Sequence, residues 1–260
     1  KSAPNNAPFT RVKAYQYTAA LYAQSALELT KKLSMSFGSR IERITTQIGD
    51  TAFPNNPGSF GYPQTTFRPT MSDSDLEYAL NLGIDYRLNR HLNVYGHIGR
   101  SYRPPTLDER SGTAYALNTF ELQNQSSREV QTGARFKFRN ILTDTRVFYS
   151  KTRDEIRFDP DGTTTFGANE NIEPVYRYGL ESTGSIKLKK ALKLRGNLTL
   201  LKAEFGAGPF DGKDVPLVPN IVASAGLTWK LNDWLNFDSV ITYEGPRRLA
   251  NDEAGNFKRL

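Results

Sequence analysis

Apolar and polar residues alternate with a period of two over segments far longer than the strands of most soluble proteins, and this pattern limits what the chain can become. Tyr78, Leu80, Leu82, Ile84, Tyr86 and Leu88 share one parity, whereas Ala79, Asn81, Gly83, Asp85 and Arg87 hold the other. Side chains of an extended chain point alternately to opposite faces, so one face of this segment is apolar and the other polar. Leu192, Leu194, Gly196, Leu198 and Leu200 repeat the pattern against Lys193, Arg195, Asn197 and Thr199. So do Leu33, Met35, Phe37, Ser39 and Ile41 against Ser34, Ser36, Gly38, Arg40 and Glu42, and Pro219 to Trp229 alternates in the same way. Only around Arg146 to Tyr149 is the parity irregular, which leaves the facing there open.

Read this way, the 260 residues form ten strands, over 15–29, 33–48, 75–88, 92–103, 127–139, 143–158, 176–189, 191–205, 219–230 and 235–245. Most are about twice the ~5–6 residues of an ordinary strand. Minimal turns at Lys31-Lys32, Asn89-Arg90-His91, Asn140-Ile141-Leu142, Lys190 and Leu231 to Trp234 alternate without exception with long polar stretches, 49–74, 104–126, 159–175 and 206–218. In an antiparallel meander this collects every short turn at one end of the sheet and every long loop at the other. Outer-membrane barrels are built so, from spanning strands of ~9–11 residues. The expected fold is therefore all-β, an antiparallel up-and-down transmembrane β-barrel. A soluble sandwich, the competing fold, would hide its apolar face against a second sheet and use shorter strands. Tyr86, Tyr102, Phe136, Phe138, Trp229, Trp234 and Tyr243 fall near the expected membrane interfaces, where barrels carry aromatic girdles.

Composition removes other classes. No stretch approaches the 18 or more consecutive apolar residues of a membrane helix. The absence of Cys excludes disulfide scaffolds, thiolate nucleophiles and cysteine zinc sites, and the two His leave little imidazole chemistry. A net charge of +7 would suit nucleic acid only if it were clustered. The one dense basic stretch, Lys187, Lys189, Lys190, Lys193 and Arg195, straddles a turn and reads as solvated, so no nucleic-acid partner is expected.

Several segments resemble one family. Gly99 to Glu109, with Ser101-Tyr102-Arg103-Pro104-Pro105-Thr106-Leu107-Asp108-Glu109, is similar to the S-[FY]-[RK]-x-P-x-[LF]-x-E segment with which a strand enters a loop in TonB-dependent outer-membrane receptors. Ser127 to Gly133 resembles that family's [SK]-x-x-[EQ]-x-G strand start, and Ala20 to Gln24 its Y-x-Q strand. Asn169 to Glu173 leading to Tyr178-Gly179-Leu180-Glu181 is similar to its N-x-x-x…G-[VL]-E hairpin, and Pro216 to Trp229 to P-x-x-x-x-N-x-G-L-x-[YW]. The resemblance spans nearly the whole chain. It implies a 22-stranded barrel of which 1–260 would be a segment from the second half, without the plug domain, the TonB box or the last strands. It also implies residence in the outer membrane of a Gram-negative bacterium and import of a scarce ligand, by default an iron siderophore with cobalamin next. The partners would be membrane lipid, the small-molecule ligand and TonB acting through the plug. The resemblance implies no cofactor and no catalysis. A complete small barrel acting as a passive pore or structural protein, and an outer-membrane hydrolase, are the alternatives.

The long loops hold the candidate ligand contacts, since each offers aromatic surface among polar neighbours. These are Phe53, Phe60, Tyr62 and Phe67 in the first, Tyr115 and Phe120 in the second, and Phe166 and Phe210 in the others. Packing of a loop on itself would explain them equally. Arg100 and Arg103 approach the mouth of the barrel and would pair with anionic oxygens of an iron chelate, or with a plug. None of the four loops contains a His to act as a haem ligand. A hydrolase would need a His beside a carboxylate or Ser at the mouth, yet His91 sits in a short turn and His97 lies on the polar parity of its strand. Asp154, Glu155, Asp159 and Asp161 gather four carboxylates that would suit Ca²⁺, but their spacing matches no EF-hand loop and solvated loop charges are the expected reading. No metal site is expected.

Overall fold

The computed structural model describes residues 11–52, 70–111, 121–159, 167–189 and 191–260. Its strands are β1 (Arg11–Glu28), β2 (Leu33–Ala52), β3 (Met71–Arg87), β4 (Leu92–Arg103), β5 (Gln125–Phe138), β6 (Ile141–Arg153), β7 (Glu155–Asp159), β8 (Ala168–Ile172), β9 (Val175–Lys189), β10 (Leu192–Phe205), β11 (Ile221–Lys230) and β12 (Asn236–Glu244). Ten of them form one antiparallel sheet in the order β1-β2-β3-β4-β5-β6-β9-β10-β11-β12, with β1 and β12 as its edges. Each strand pairs with the one before and the one after it in the meander, so the expected up-and-down order is realised. The turn residue Lys190 lies outside the described residues.

Register carries the alternation across the sheet. Phe37, Leu82, Ile98 and Val130 are successive cross-strand partners, as are Val147, Leu180 and Leu200, and all lie on one face. Most of these apolar side chains are exposed: Ile98 is 52 % accessible and Ile241 71 %. An apolar face of this extent, uncovered by any second layer among the described residues, excludes the sandwich and faces lipid. The opposite face carries Asn81, Asp85, His97, Arg135, Asp144, Arg146 and Glu181. Arg146 and Phe148 fall on this polar face and Val147 and Tyr149 on the apolar one, which resolves the facing that the sequence left open.

The apolar band has the right height. On β5 the outward side chains run from Phe138 at the short-turn end through Phe136, Ala134, Thr132 and Val130 to Arg128. Ten residue steps at ~3.3 Å each give ~33 Å along the strand, or ~23 Å along the barrel axis at a tilt of ~45°, against ~25 Å for the apolar belt of such barrels. Tyr86, Phe136, Phe138, Trp229 and the 82 % exposed Trp234 ring the short-turn end, with Phe136 and Phe138 stacked at 6.3 Å.

Three features depart from the sequence reading. The expected strand 143–158 breaks at Asp154, whose φ of 55° is the left-handed conformation, and β7 then leaves the sheet to pair with β8 inside the expected loop 159–175. A one-turn helix, α1 (Leu107–Ser111), interrupts the loop after β4. The Tyr102 hydroxyl, expected at a lipid interface, donates instead to Glu42 on the polar face of β2. This follows from pairing: the β3–β4 ladder ends at Leu80↔Arg100, whereas β3 continues to pair with β2 as far as Met71. Beyond that fork β4 parts from β3, and its side chains reach the inner surface of β2 and β3.

One glycine permits a close approach on the inner wall. A Cβ at Gly133 would stand 2.6 Å from Cζ and the hydroxyl of Tyr95 and 2.7 Å from the Thr145 carbonyl, and Tyr95 lies there to donate to Asp144 at 2.6 Å. Gly133→Ala is expected to displace the ring and cost ~1–3 kcal/mol of overpacking. Urea unfolding of the variant beside wild type checks this, and an unchanged midpoint would place the ring elsewhere.

Candidate functional site

The inner wall is a network of opposite charges. Arg135 bridges Asp85 at 2.7 Å and Asp144 at 3.1 Å and lies 4.2 Å over the Tyr95 ring. Arg146 binds Glu181 through two nitrogens at 2.6 and 3.0 Å, and His97 stands 4.0 Å from Glu129. A concavity of about 420 Å³ is lined by Asp85, Tyr95, His97, Gln131, Arg135 and Asp144 in the half nearer the short turns.

At the long-loop end the polar face of β3 presents three acids at successive inward positions, Asp73, Asp75 and Glu77. Each is met by a group from β4 or the segment after it. The Arg110 guanidinium, 2 % exposed, reaches Asp73 at 3.0 Å and Asp75 at 3.6 Å, and Arg100 reaches Glu77 at 3.0 Å, which also accepts from Asn124. Arg100 fills the fork itself: it donates to the Tyr78 carbonyl, left without a β4 partner, and stacks over the Tyr78 ring. Its parity is opposite to that of Arg103, so the two do not line the mouth side by side. Arg103 instead clasps Glu109 at 2.9 and 3.1 Å.

Glu109 closes a capping box on α1, accepting from the Thr106 N–H at 2.8 Å while its own N–H donates to the Thr106 hydroxyl at 3.2 Å. Burial pushes the Glu109 carboxyl up, but Arg103 and the Thr106 N–H hold it below its ordinary value. Pro105 is fully buried, its carbonyl accepting from the Gln16 amide, which also donates to the buried Thr46 hydroxyl; Ile44, Ile48 and Leu122 are buried as well. The stretch from Tyr102 to Glu109 thus has a physical reading: Tyr102, Arg103, Pro105, Thr106 and Glu109 dock and shape the strand-to-loop transition.

Beside this docked segment lies a recess of about 380 Å³ lined by Asp154, Arg157, Glu170, Asn171, Phe205 and Phe210, among others. Asn171 ties its floor together, accepting from the Gln123 N–H at 2.7 Å and donating to the Gln123 and Asp154 carbonyls. Phe205 and Phe210 stand with ring centroids 5.9 Å apart. Arg157 pairs with Glu170 at 3.3 Å and with Glu253, while its buried Nε has no partner. Glu155 is clasped by Arg177 at 2.8 Å rather than left solvated. Among the described residues no three His, Asp or Glu side chains are placed to hold a metal. Asp161 of the acidic stretch lies outside them.

Next to the recess Asp214 gathers Lys202 at 2.5 Å, Arg248 at 3.5 Å and Arg259, joining the chain after β10 to the chain after β12. Burial pushes the Asp214 carboxyl up, but the Lys202 ammonium, with Arg259, holds it below its ordinary 3.8. A lowered carboxyl stabilises above the unfolded value and loses that contribution as pH falls through the folded one. Asp214→Asn is therefore expected to speed hydrogen exchange in 206–218 and 247–260 at pH 7. The difference from wild type should shrink steadily below pH 3.8, and a pH-independent difference would exclude the charge as its cause.

Of the sequence-predicted ligand residues, Arg100 and Arg103 are described, and both have internal partners. Phe53, Phe60, Tyr62, Phe67, Tyr115, Phe120 and Phe166 lie outside the described residues, and Phe210 lines the recess. Arg157, Glu170 and Phe205 were missed. Phe205 and Arg157 read as the ends of expected strands, and nothing local marks the break at Asp154 after which β7 leaves the main sheet.

A lipid-facing band, a polar inner wall and loops docked over one end define a transmembrane β-barrel of the outer-membrane type. The sequence profile of the β-barrel of TonB dependent receptor-like proteins matches residues 2–259. TonB-dependent heme receptor A of Haemophilus ducreyi (strain 35000HP / ATCC 700724) is 28 % identical over 171 residues, covering 60 % of this chain and 22 % of that protein. Catecholate siderophore receptor Fiu of Escherichia coli (strain K12) is 20 % identical over 257 residues, covering 91 % of this chain and 33 % of that protein. Among solved structures, copper transporter OprC superposes with a TM-score of 0.76 at 15 % identity, over 92 % of this chain and 36 % of OprC. The chain belongs to the TonB-dependent receptor family, as part of its β-barrel, and its place is the Gram-negative outer membrane. It spans about a fifth to a third of the length of the curated relatives it matches.

Proposed function

We propose that this protein binds a metal-bearing ligand, an iron siderophore in the first instance, at the loop end of its barrel and imports it with energy passed through TonB. The observation that carries this reading is the recess of about 380 Å³ in which Arg157 and Asn171 stand beside Phe205 and Phe210. A guanidinium offers charge-assisted hydrogen bonds to anionic chelate oxygens, and aromatic rings offer a face to a planar ligand. The names of the relatives, a haem receptor and a catecholate siderophore receptor, support iron as the cargo. A catecholate fits the pairing of Arg with aromatic rings more directly than haem, because the loops supply no axial His. Cobalamin is the next ligand in order.

In this reading the protein is not an enzyme, and the barrel supplies support and specificity. Arg100 and Arg103 act by holding the loop layer, and the aromatic side chains of Phe60, Tyr62, Phe67, Tyr115, Phe120 and Phe166 would serve as further ligand contacts. The edges β1 and β12 need further strands, since unpaired backbone groups cannot face lipid. A 22-stranded barrel around a plug would supply them, and the Asp85–Arg135–Asp144 wall would face that plug. Neither His lines the recess: His91 is held at the short-turn end by the Lys137 carbonyl, and His97 lies on the wall.

Titration of the full receptor with a ferric catecholate, haem and cyanocobalamin, followed by tryptophan fluorescence, tests the proposal. Phe210→Ala is expected to weaken ferric catecholate binding about tenfold or more, as loss of an aromatic anchor does. Arg157→Lys, which keeps a charge for Glu170 and Glu253, should weaken it too. Wild-type affinity in both variants, or no binding of any of the three ligands, would overturn the assignment.

A further inference from the structure

The recess poses an electrostatic problem for an anionic ligand. The acids Asp154, Glu170 and Glu173 stand with Arg157 among its lining residues, and like charges oppose the entry of a polyanion. Arg157 is also occupied. Its Nη2 donates to Glu170 at 3.3 Å and its Nη1 to Glu253, while the buried Nε has no partner among the described residues. A planar guanidinium cannot offer both Nη groups to a chelate while two carboxylates hold them.

The two carboxylates differ in how they can let go. Glu170 is the direct cross-strand partner of Arg157, so the β7–β8 hairpin itself keeps it in place. Glu253 arrives from 96 residues further along the chain, in the segment after β12. That segment keeps its turn by other means. The Asp252 carboxylate, 2 % exposed, accepts from the Asn256 N–H at 2.7 Å and the Phe257 N–H at 3.3 Å and stands 3.6 Å from the Arg248 guanidinium. Glu253 is therefore free to swing away by rotating its own side chain, and a ligand that takes Nη1 of Arg157 must first displace it. An internal partner of this kind lowers the apparent affinity by the fraction of time for which it occupies the site. A ligand that makes no use of the guanidinium does not meet this competition.

With the recess as the ligand site, a reading on which this step rests, we propose that Glu253 is a specificity-determining residue that acts through Arg157. Its carboxylate occupies the place of an anionic ligand and sets how tightly anionic chelates bind relative to neutral ones. The test is titration of the full receptor, followed by tryptophan fluorescence, with a trianionic ferric tris-catecholate and a neutral ferric tris-hydroxamate. Glu253→Gln is expected to bind the tris-catecholate about fivefold more tightly than wild type, with the tris-hydroxamate unchanged. Glu253→Ala, which removes the hydrogen bond as well as the charge, should gain at least as much. A staple that merely held the segment would lose affinity when cut, so the direction of the change separates the two roles. Glu244→Gln takes the same charge from the exposed Glu244–Arg247 pair and should leave both affinities as they are. Binding of the tris-catecholate by wild type with no gain in either Glu253 variant, or an equal gain for the neutral chelate or in Glu244→Gln, would overturn the role of Glu253 alone. Failure of wild type and variants alike to bind either chelate would overturn the reading of the recess as the ligand site, and the role of Glu253 with it.

Discussion

Leu82→Arg is expected to impair assembly of the barrel far more than Asn81→Arg, although the two positions are neighbours in sequence. Leu82 lies on the outward parity of β3, between Phe37 of β2 and Ile98 of β4. The outward side chains of β3 run from Tyr86 to Leu76, so Leu82 sits near the middle of the apolar band. A guanidinium there meets hydrocarbon with no counter-charge within reach, at ~2–4 kcal/mol near the bilayer midplane. Asn81 points to the polar face, beside Gly38 and facing water or protein. Heat-modifiable migration after expression, with urea titration of the folded fraction, reads the difference. Equal losses in both variants would refute the facing of β3 and, through the shared register, that of its neighbours.

Arg110→Ala is expected to release the segment after β4 from the barrel wall. The Arg110 guanidinium is almost fully buried and joins two carboxylates of β3 that are themselves 43 % and 35 % exposed. Removing one partner of a buried ion pair costs about 3–5 kcal/mol because the other is left uncompensated. The partial exposure of Asp73 and Asp75 lets water replace part of the interaction, which brings the expectation to ~2–3 kcal/mol. Limited proteolysis should cut the variant near α1 at a rate well above wild type, while the strands stay protected. Arg110→Lys should fall between, since an ammonium cannot span both acids as a planar fork does. Unchanged cleavage in Arg110→Ala would show that Arg103 and Pro105 suffice to hold the segment.

The same segment shows how far a motif can be read before its contacts are known. Tyr102, Arg103, Pro105 and Glu109 carry the family resemblance, yet sequence alone suggests an interface aromatic and a ligand-facing Arg. In the structure the hydroxyl serves Glu42 and the guanidinium serves Glu109. The cause is the end of the β3–β4 ladder at Arg100, a pairing event between two strands that leaves no mark in either strand's own periodicity. The recess was half legible: Phe210 stands in a loop rich in turn residues, whereas Arg157 and Phe205 are hidden inside segments that read as ordinary strand.

Two quantities were set by the sequence by itself. The period of two decided that the chain forms strands with one apolar and one polar face, because side-chain direction in an extended chain is a local property. The alternation of short and long connections decided the meander and the end at which the loops gather, because antiparallel neighbours must reverse direction at each turn. The tertiary structure decided where strands stop pairing: the fork above Leu80, the break at Asp154 that sends β7 and β8 out of the sheet, and the closing of Asp214 on Lys202, Arg248 and Arg259. Each depends on groups distant along the chain competing for the same backbone or charged partner, and that competition is settled only when the strands are side by side.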